Sequence, residues 1–171
     1  MENSAIATAL NSLSQAFETN PEKARARYAS ATATLVNGLK CRVTGPSGEG
    51  IETDMPGSMG GGGSSPNPGW FFRASLAACC TTMIAAQAAR LGIALTELQV
   101  AVSGEGDHRG MLGIGGNVSA GHSAIRTDVR IAAENASPDQ LEQLVRWADE
   151  HSPVGCTVRN TPSNTLTIMA A

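Results

Sequence analysis

The sequence predicts an α+β fold in which a mainly antiparallel sheet packs against one long, buried central helix. A hairpin signal near residue 37 and several alternating segments point to strands. Between them, residues 67–91 form an apolar stretch long enough for several helical turns. The order of elements is hairpin, long helix, strands, helix and strand, which differs from the strict β-α-β alternation of parallel sheets.

Clear start and stop signals bound the central helix. Asn67 is a preferred N-cap residue, and Pro68 suits the first helical position. Gly92 can adopt the left-handed conformation that ends a helix. The stretch between them carries almost no charge, which predicts a helix buried on all sides. Two adjacent thiols, Cys79 and Cys80, lie within it, so function is expected on this helix first.

The segment before residue 30 is predicted to be a helical arm, and residues 30–171 are predicted to form a single α+β domain. Apolar residues recur at helical spacing over residues 5–17, namely Ile6, Leu10, Leu13 and Phe17. A break at Thr19-Asn20-Pro21 precedes a second short helix that is predicted from Glu22 to about Tyr28.

The remaining elements follow from alternation and turn residues. Residues 31–36 and 39–44 are predicted to form a hairpin around Asn37-Gly38, with Cys41 facing the core. A short strand over 50–54 and a flexible loop over 56–69 come next. Strands are predicted over 95–104, 124–132 and 165–169, with a polar turn over 104–110. A helix capped by Ser137 is predicted to end near His151, before Pro153.

Composition indicates which partners and which cellular compartment are expected. The net charge of -3 and the pI near 5.6 argue against nucleic acid as a main partner. Arg73 interrupts the apolar stretch, so we do not expect it to cross a membrane. The first residues lack the features of a signal peptide, and the four cysteines do not resemble a secreted disulfide scaffold. A cytoplasmic protein is expected.

Neither a cofactor nor a metal is predicted. The glycine run over residues 60–63 precedes a helix, as in phosphate-binding loops, but lacks the lysine and the spacing of nucleotide sites. A metal site built from Cys79, Cys80, Cys156 and His151 is not favoured, because adjacent helical residues diverge and no C-x-x-C spacing occurs. Asp107-His108-Arg109 is interpreted as a solvated turn.

Several short segments occur in an order and spacing that together are specific. They are Asp54-Met-Pro56, Gly60–Gly63, Pro66-Asn-Pro68, Leu76-Ala-Ala-Cys79, Ala89-Arg-Leu-Gly-Ile93, Asp107-His-Arg-Gly-Met-Leu-Gly113, Ser137-Pro-Asp-Gln-Leu141 and Ser152-Pro-Val154. Over residues 30–169 this pattern resembles the OsmC/Ohr family of osmotically induced and organic-hydroperoxide-resistance proteins. The resemblance implies an intertwined homodimer, with sheets wrapped around long central helices and active sites at the dimer interface.

The resemblance also implies a thiol-based reaction. In that family a thiolate on the central helix attacks the O–O bond of an organic hydroperoxide and becomes a sulfenic acid. A second cysteine after the next helix forms a disulfide with it, which an external dithiol reduces. By spacing, Cys79 occupies the position of the attacking cysteine. A free thiol is mostly protonated at neutral pH, so a neighbouring cation is expected.

This sequence departs from the family pattern at three positions. Gly69 and Trp70 stand where the family has a glutamate, and Ser152 stands at the position of the second cysteine. No early arginine has the family context, so Arg42 and Arg73 are the candidates to stabilise a Cys79 thiolate. Because serine cannot form a disulfide, oxidised Cys79 would be resolved either by Cys156, which lies four residues beyond Ser152, or by an external thiol.

Two functional hypotheses follow. The first is a thiol-dependent peroxidase that reduces organic hydroperoxides through Cys79. The second is a family member without peroxidase chemistry that binds a hydrophobic small molecule in the dimer-interface pocket. Residues expected to line this pocket are Trp70, Phe72, Ser75, Met83 and Ser152.

Overall fold

The computed structural model describes residues 2–170. In chain order its elements are α1 (Glu2–Thr19), a 3₁₀ turn (Pro21–Ala24), β1 (Thr32–Asn37), β2 (Lys40–Thr44), β3 (Gly50–Thr53), a second 3₁₀ turn (Gly57–Met59), α2 (Pro68–Arg90), β4 (Leu95–Gly106), the short α3 (His108–Met111), β5 (His122–Ala133), α4 (Pro138–Glu150) and α5 (Pro153–Arg159). The predicted α+β class with antiparallel sheets and a long central helix is confirmed. The chain divides into two compact units, residues 8–75 and residues 76–171 together with 1–7.

The unit of residues 8–75 contains a three-stranded antiparallel sheet in the order β1-β2-β3. The predicted Asn-Gly turn joins the first two strands, and Gly38 there has a φ of 55°. Cys41 and Val43 are half-buried, whereas Arg42 and Thr44 are exposed. Burial therefore alternates from Cys41 to Thr44, whereas Leu39 is exposed and Lys40 is half-buried.

The other unit is built on a ribbon of two long antiparallel strands. β4 and β5 are 12 residues each, so both extend beyond their predicted limits. Leu95 lies opposite Ala133 at one end and Gly106 opposite His122 at the other. The core of this unit consists of Cys80, Ile84, Ala88, Ile93, Leu141, Leu144 and Ala148.

The predicted limits of the central helix α2 are confirmed by its caps. The Asn67 side-chain oxygen accepts the backbone N–H of Trp70 at 2.9 Å. At the other end, Gly92 has a φ of 68°, and the N–H of Ile93 bonds to the Ala88 carbonyl at 2.9 Å. Asn135 then fixes the exit from the helix, because its amide donates to the Gly92 carbonyl at 2.9 Å.

Burial along α2 is one-sided, so the prediction of a helix buried on all sides is wrong for the single chain. The buried residues Leu76, Cys80, Ile84 and Ala88 recur every four positions and form one stripe. By length and composition alone α2 could also cross a membrane, a criterion that the core helix of a soluble protein meets equally well. Here the stripe contributes to a packed core.

The helix α4 begins as predicted. The Ser137 hydroxyl accepts the Gln140 N–H, and the Gln140 side chain accepts the Ser137 N–H, which together form a capping box. The helix ends at Glu150, next to the predicted limit.

Two other expectations about local structure are wrong. The second short helix expected over 22–28 is only a 3₁₀ turn, and Tyr28 is 93% exposed. No strand forms over 165–169 within the described chain, because alternation supplies apolar residues but no neighbouring strand to pair with. The structure also has a helix for which no expectation was stated, because Pro153 begins α5.

Candidate functional site

The half-buried thiol of Cys79 lies beside the hydroxyl of Ser152. The Ser152 Oγ donates a hydrogen bond to the Cys79 Sγ over 3.2 Å. The two residues are 73 positions apart in the chain, and both belong to the unit built on β4 and β5. The contact gives the sulfur a neutral hydrogen-bond donor.

Ser152 is held in place because it is also the N-cap of α5. It is only 2% exposed, and its hydroxyl accepts the backbone N–H of Gly155 at 3.2 Å. The Ser152 carbonyl accepts the N–H of Cys156 at 2.7 Å, which closes the first turn of the helix. The Ser-Pro start of α5 therefore fixes the position of the hydroxyl that contacts Cys79.

The neighbouring thiol, Cys80, faces the core. It is 6% exposed and belongs to the apolar cluster, so its side chain contributes to packing. Burial raises the pKa of the Cys80 thiol, the nearby Asp149 carboxylate and Cys79 raise it further, and Arg159 opposes the shift. Cys80 therefore remains a protonated thiol at neutral pH.

The third thiol of this unit, Cys156, lies on α5. Its Sγ donates to the Glu150 carbonyl at 2.9 Å and accepts an N–H from Arg159 at 3.6 Å. It is half-buried, and all four cysteines of the chain are free thiols in this structure.

Arg159 is the site residue that the sequence analysis did not identify. Its Nη1 pairs with the Asp149 carboxylate at 3.0 Å, and its Nη2 donates to both the Asp149 carbonyl and the Cys156 sulfur. These bonds connect the last turn of α5 to the end of α4. The available signal was an arginine seven residues after the Ser152 cap, on the same short helix.

A small cavity of about 260 Å³ lies next to these groups. Its walls are Leu76, Cys80, Ile125, Thr127, Asp149, Ser152, Gly155, Val158 and Arg159. Cys80, Thr127 and Asp149 also line a larger open cleft of about 810 Å³ that runs between α4 and β5. Both Ser152 and Arg159 thus face space that a small molecule could enter.

The other predicted site residues are distributed over both units. Arg42 pairs with Glu52 on the neighbouring strand at 3.3 Å, in the unit of residues 8–75. The pKa of Glu52 is lowered mainly by its hydrogen bond with Lys40 and also by Arg42. Arg42 therefore already has an acidic partner in its own sheet. Its role in stabilising a Cys79 thiolate stays a prediction.

The residues at the start of α2 also belong to the unit of residues 8–75. Trp70 is 47% exposed, and its ring meets that of Phe71 edge-on with centroids 5.0 Å apart. Phe72 is exposed, Ser75 donates to its carbonyl at 2.8 Å, and Arg73 is half-buried. Met83, by contrast, belongs to the unit of residues 76–171 and packs against the core of that same unit.

A buried carboxylate organises the glycine-rich loop before α2. Asp54 is 3% exposed, and its oxygens accept the N–H groups of Met55, Gly62 and Ser64 and the Ser64 hydroxyl at 2.8 to 3.3 Å. The Ser64 N–H is the largest cause of the lowered pKa of Asp54. Gly61 packs so closely that a β-carbon there would lie 1.9 Å from the Met55 carbonyl oxygen. The loop is therefore defined by its hydrogen bonds, although the sequence predicts a flexible one.

Comparison with known structures identifies the fold. An OsmC-like protein from Mycoplasma pneumoniae superposes with a TM-score of 0.67 at 16% identity, over 80% of this chain and 91% of that one. An organic hydroperoxide resistance protein from Legionella pneumophila gives 0.55 at 22% identity, over 80% and 93%. One from Elizabethkingia anophelis gives 0.58 at 19% identity, over 80% and 91%. At such identities the likeness establishes the shared fold.

Sequence comparison establishes the family. A comparison with curated protein sequences finds no significant match. The family model described as OsmC-like protein, however, matches residues 61–167. This range covers more than half of the chain and includes α2, Cys79 and Ser152. The chain therefore belongs to the OsmC-like protein family.

Proposed function

We propose that this protein reduces organic hydroperoxides with Cys79 as the attacking thiolate. The observation that carries the proposal is the 3.2 Å hydrogen bond from Ser152 to the Cys79 sulfur. It brings the candidate nucleophile next to the position at which the OsmC/Ohr resemblance expects a second cysteine. The Legionella and Elizabethkingia proteins are named organic hydroperoxide resistance proteins, which supports the same chemistry.

The first step is a two-electron oxidation of sulfur. The Cys79 thiolate attacks one oxygen of the hydroperoxide, so that an S–O bond forms as the O–O bond breaks. The departing alkoxide takes up a proton and leaves as the alcohol, and Cys79 becomes a sulfenic acid. A thiol then condenses with the sulfenic acid and releases water, and an external dithiol reduces the resulting disulfide.

Ser152 acts on the sulfur in this scheme. Its hydroxyl hydrogen bond stabilises negative charge on Cys79 before the attack. A hydroxyl supplies less stabilisation than a full positive charge, so a cation remains part of the proposal. Arg42 and Arg73 are the candidates from the strands and from the start of α2.

We propose that the working form is a homodimer. Burial of only one stripe of α2 in the single chain supports this, because the other faces of this nearly uncharged helix then need a covering surface. Leu166, Ile168 and Met169 near the chain end are also strongly exposed. Sedimentation of the purified protein at micromolar concentration is expected to give a species of twice the 17.5 kDa chain mass.

A second candidate function is binding of a hydrophobic small molecule without turnover. The exposed rings of Trp70 and Phe72 at the start of α2 favour it. In this proposal these rings, with Ser75, Met83 and Ser152, contact the ligand. A Trp147→Phe variant leaves Trp70 as the only tryptophan, and its fluorescence during titration with cumyl alcohol reports such binding.

Consumption of cumene hydroperoxide in the presence of dithiothreitol tests the enzymatic proposal. Wild-type protein is expected to consume it catalytically, and Cys79→Ser is expected to lose this activity. Cys41→Ser, which removes a half-buried thiol of the β2 strand, is the matched control and should retain it. After hydroperoxide addition, mass spectrometry should find Cys79 oxidised, either as a dimedone adduct of the sulfenic acid or in a disulfide. Wild-type consumption no faster than that of Cys79→Ser would refute the peroxidase and favour the binding function.

A further inference from the structure

Cys156 lies one helical turn after Ser152, the residue that contacts Cys79. Ser152 and Cys156 are four positions apart, and the 2.7 Å bond from the Cys156 N–H to the Ser152 carbonyl shows that this turn is formed. Side chains at this spacing lie on the same side of a helix, with β-carbons about 5–6 Å apart. The Ser152 hydroxyl is itself in contact with the Cys79 sulfur.

Cys156 also has a cation at its sulfur. Arg159 Nη2 donates to the Cys156 Sγ at 3.6 Å, and the Asp149 carboxylate and carbonyl hold the guanidinium in place. A guanidinium in this position stabilises the negative charge that develops on sulfur as the thiol loses its proton during an attack.

The other thiols are poorly suited to react with oxidised Cys79. Cys80 is adjacent on the same helix, where a disulfide would require strained geometry, and it is buried in the core. Burial also raises the pKa of its thiol, with Asp149 and Cys79 adding to the shift. Cys41 lies on β2, and its thiol is half-buried there.

We infer that Cys156 is the thiol that resolves oxidised Cys79, and that Arg159 positions and activates it. This inference rests on the proposed reduction of organic hydroperoxides. The Cys156 sulfur attacks the sulfur of the Cys79 sulfenic acid, an S–S bond forms, and the hydroxyl group leaves as water after taking up the thiol proton. An external dithiol then reduces this disulfide by exchange and returns both cysteines to thiols.

The step requires α5 to move. Disulfide sulfurs are about 2.05 Å apart, so the first turn of α5 must shift toward α2 and the bond between Ser152 and Cys79 must open. With seven residues, α5 is below the length at which a helix is stable by itself, and the residues that follow it form no regular element in the described chain. The shift also breaks the bond from the Cys156 Sγ to the Glu150 carbonyl and moves the buried Ser152 and Gly155, while the bonds of Arg159 to Asp149 hold the last turn at the end of α4.

Tryptic peptide mapping without reduction tests the inference directly. Cleavage after arginine releases Cys79 within residues 74–90 and Cys156 within residues 147–159. A Cys80→Ala background leaves Cys79 as the only thiol of its fragment. After one equivalent of cumene hydroperoxide, the two fragments are expected to be joined, with a mass two hydrogens below their sum. Fragments that remain separate after Cys79 has reacted would overturn the inference.

Trapping with dimedone separates this inference from the proposed function. Cys156→Ser should accumulate a dimedone adduct at Cys79, whereas the parent should not. Equal trapping in both proteins overturns the role of Cys156 and leaves hydroperoxide reduction intact. Absence of any Cys79 adduct in Cys156→Ser overturns hydroperoxide reduction itself. Circular dichroism of each variant confirms that it is folded.

The role of Arg159 is tested separately, by the rate of disulfide formation. Arg159→Gln keeps hydrogen-bond donors but removes the charge, so disulfide formation should slow about tenfold, while the formation of the Cys79 sulfenic acid should not change. Arg159→Lys retains a positive charge and should recover part of the rate. Equal disulfide rates in the Gln and Lys variants and in the parent would show that Arg159 serves only the structure of α5.

Discussion

The Ser152 hydroxyl joins two helices, because it donates to the Cys79 sulfur of α2 at 3.2 Å and accepts the Gly155 N–H of α5 at 3.2 Å. One oxygen thus caps α5 and acts on the candidate nucleophile. Any change at this position affects helix stability and thiol chemistry together, so its variants need controls that separate the two effects.

Ser152→Ala should slow the reaction of Cys79 with cumene hydroperoxide by about tenfold, which corresponds to about 1.4 kcal/mol of lost hydrogen bonding to a charged sulfur. It should also lower the free energy of unfolding by about 1 kcal/mol through loss of the cap. Ser137→Ala removes the cap of α4 and provides the matched control. A similar rate loss in both variants would attribute the effect to stability alone.

Ser152→Cys should create a disulfide-forming pair with Cys79, because the new sulfur would occupy the position of an oxygen already 3.2 Å from the Cys79 sulfur. In a Cys156→Ser background, one equivalent of hydroperoxide is expected to convert this variant fully to a disulfide between positions 79 and 152, measured by mass spectrometry after alkylation. Ser137→Cys introduces a thiol at the cap of the other helix and should form no such bond. If both variants cross-link equally, the contact between positions 79 and 152 has no special role.

Asp54→Asn should lower the thermal unfolding midpoint at neutral pH by several degrees, because the Asp54 carboxylate accepts four hydrogen bonds from the loop before α2. Its pKa is lowered, chiefly by the Ser64 N–H, so the stabilisation is fully present above the ordinary value of 3.8 and is lost as pH falls below it. The midpoints of the two proteins should therefore converge in acid. Asp139→Asn, at an exposed carboxylate, is the control.

Cys80 should be alkylated more slowly than Cys79 at pH 8, since burial raises the pKa of its thiol and limits access. A raised pKa favours the folded state below the ordinary value of 9.0, and this contribution is lost as pH rises above it. The unfolding midpoint should therefore fall more steeply above pH 9 in wild-type protein than in Cys80→Ala. Equal alkylation rates for the two thiols would contradict the buried position of Cys80.

Ile84→Ala should lower the free energy of unfolding by about 2–5 kcal/mol, because Ile84 is 0% exposed in the centre of the buried stripe of α2. Urea denaturation measures the change. Leu91→Ala, at an exposed leucine just after the same helix, should change stability by less than about 0.5 kcal/mol. A comparable loss at both positions would mean that the buried stripe is not where the structure has it.

Local signals predicted the helix limits well. Asn67 and Gly92 bound α2, and Ser137 caps α4, because cap residues act through bonds to nearby backbone groups. The same Ser-Pro pair that marks α4 recurs at Ser152 and starts α5. Because Pro153 also marks the end of α4, the sequence alone does not reveal that the helical turn carrying Cys156 begins there.

Most of the features that the sequence could not predict depend on tertiary contacts. Spacing along the chain places Cys79 on α2 and Ser152 before α5, but only the fold brings the two side chains within 3.2 Å. Arg159 is likewise recognisable as a site residue only once α5 packs against the end of α4. Alternation over 165–169 predicted a strand that needs a neighbouring strand to form, which the described single chain does not provide.

The close approach of Gly61 to the Met55 backbone limits how this loop can evolve. A β-carbon at position 61 would overlap the Met55 carbonyl oxygen at 1.9 Å, whereas one at Gly57 would meet no atom within 4 Å. A larger residue can therefore be accepted at position 57. At position 61 it would require the loop to be rebuilt. Because this loop leads into the cap of α2, a substitution at Gly61 would also disturb the start of the helix that carries Cys79.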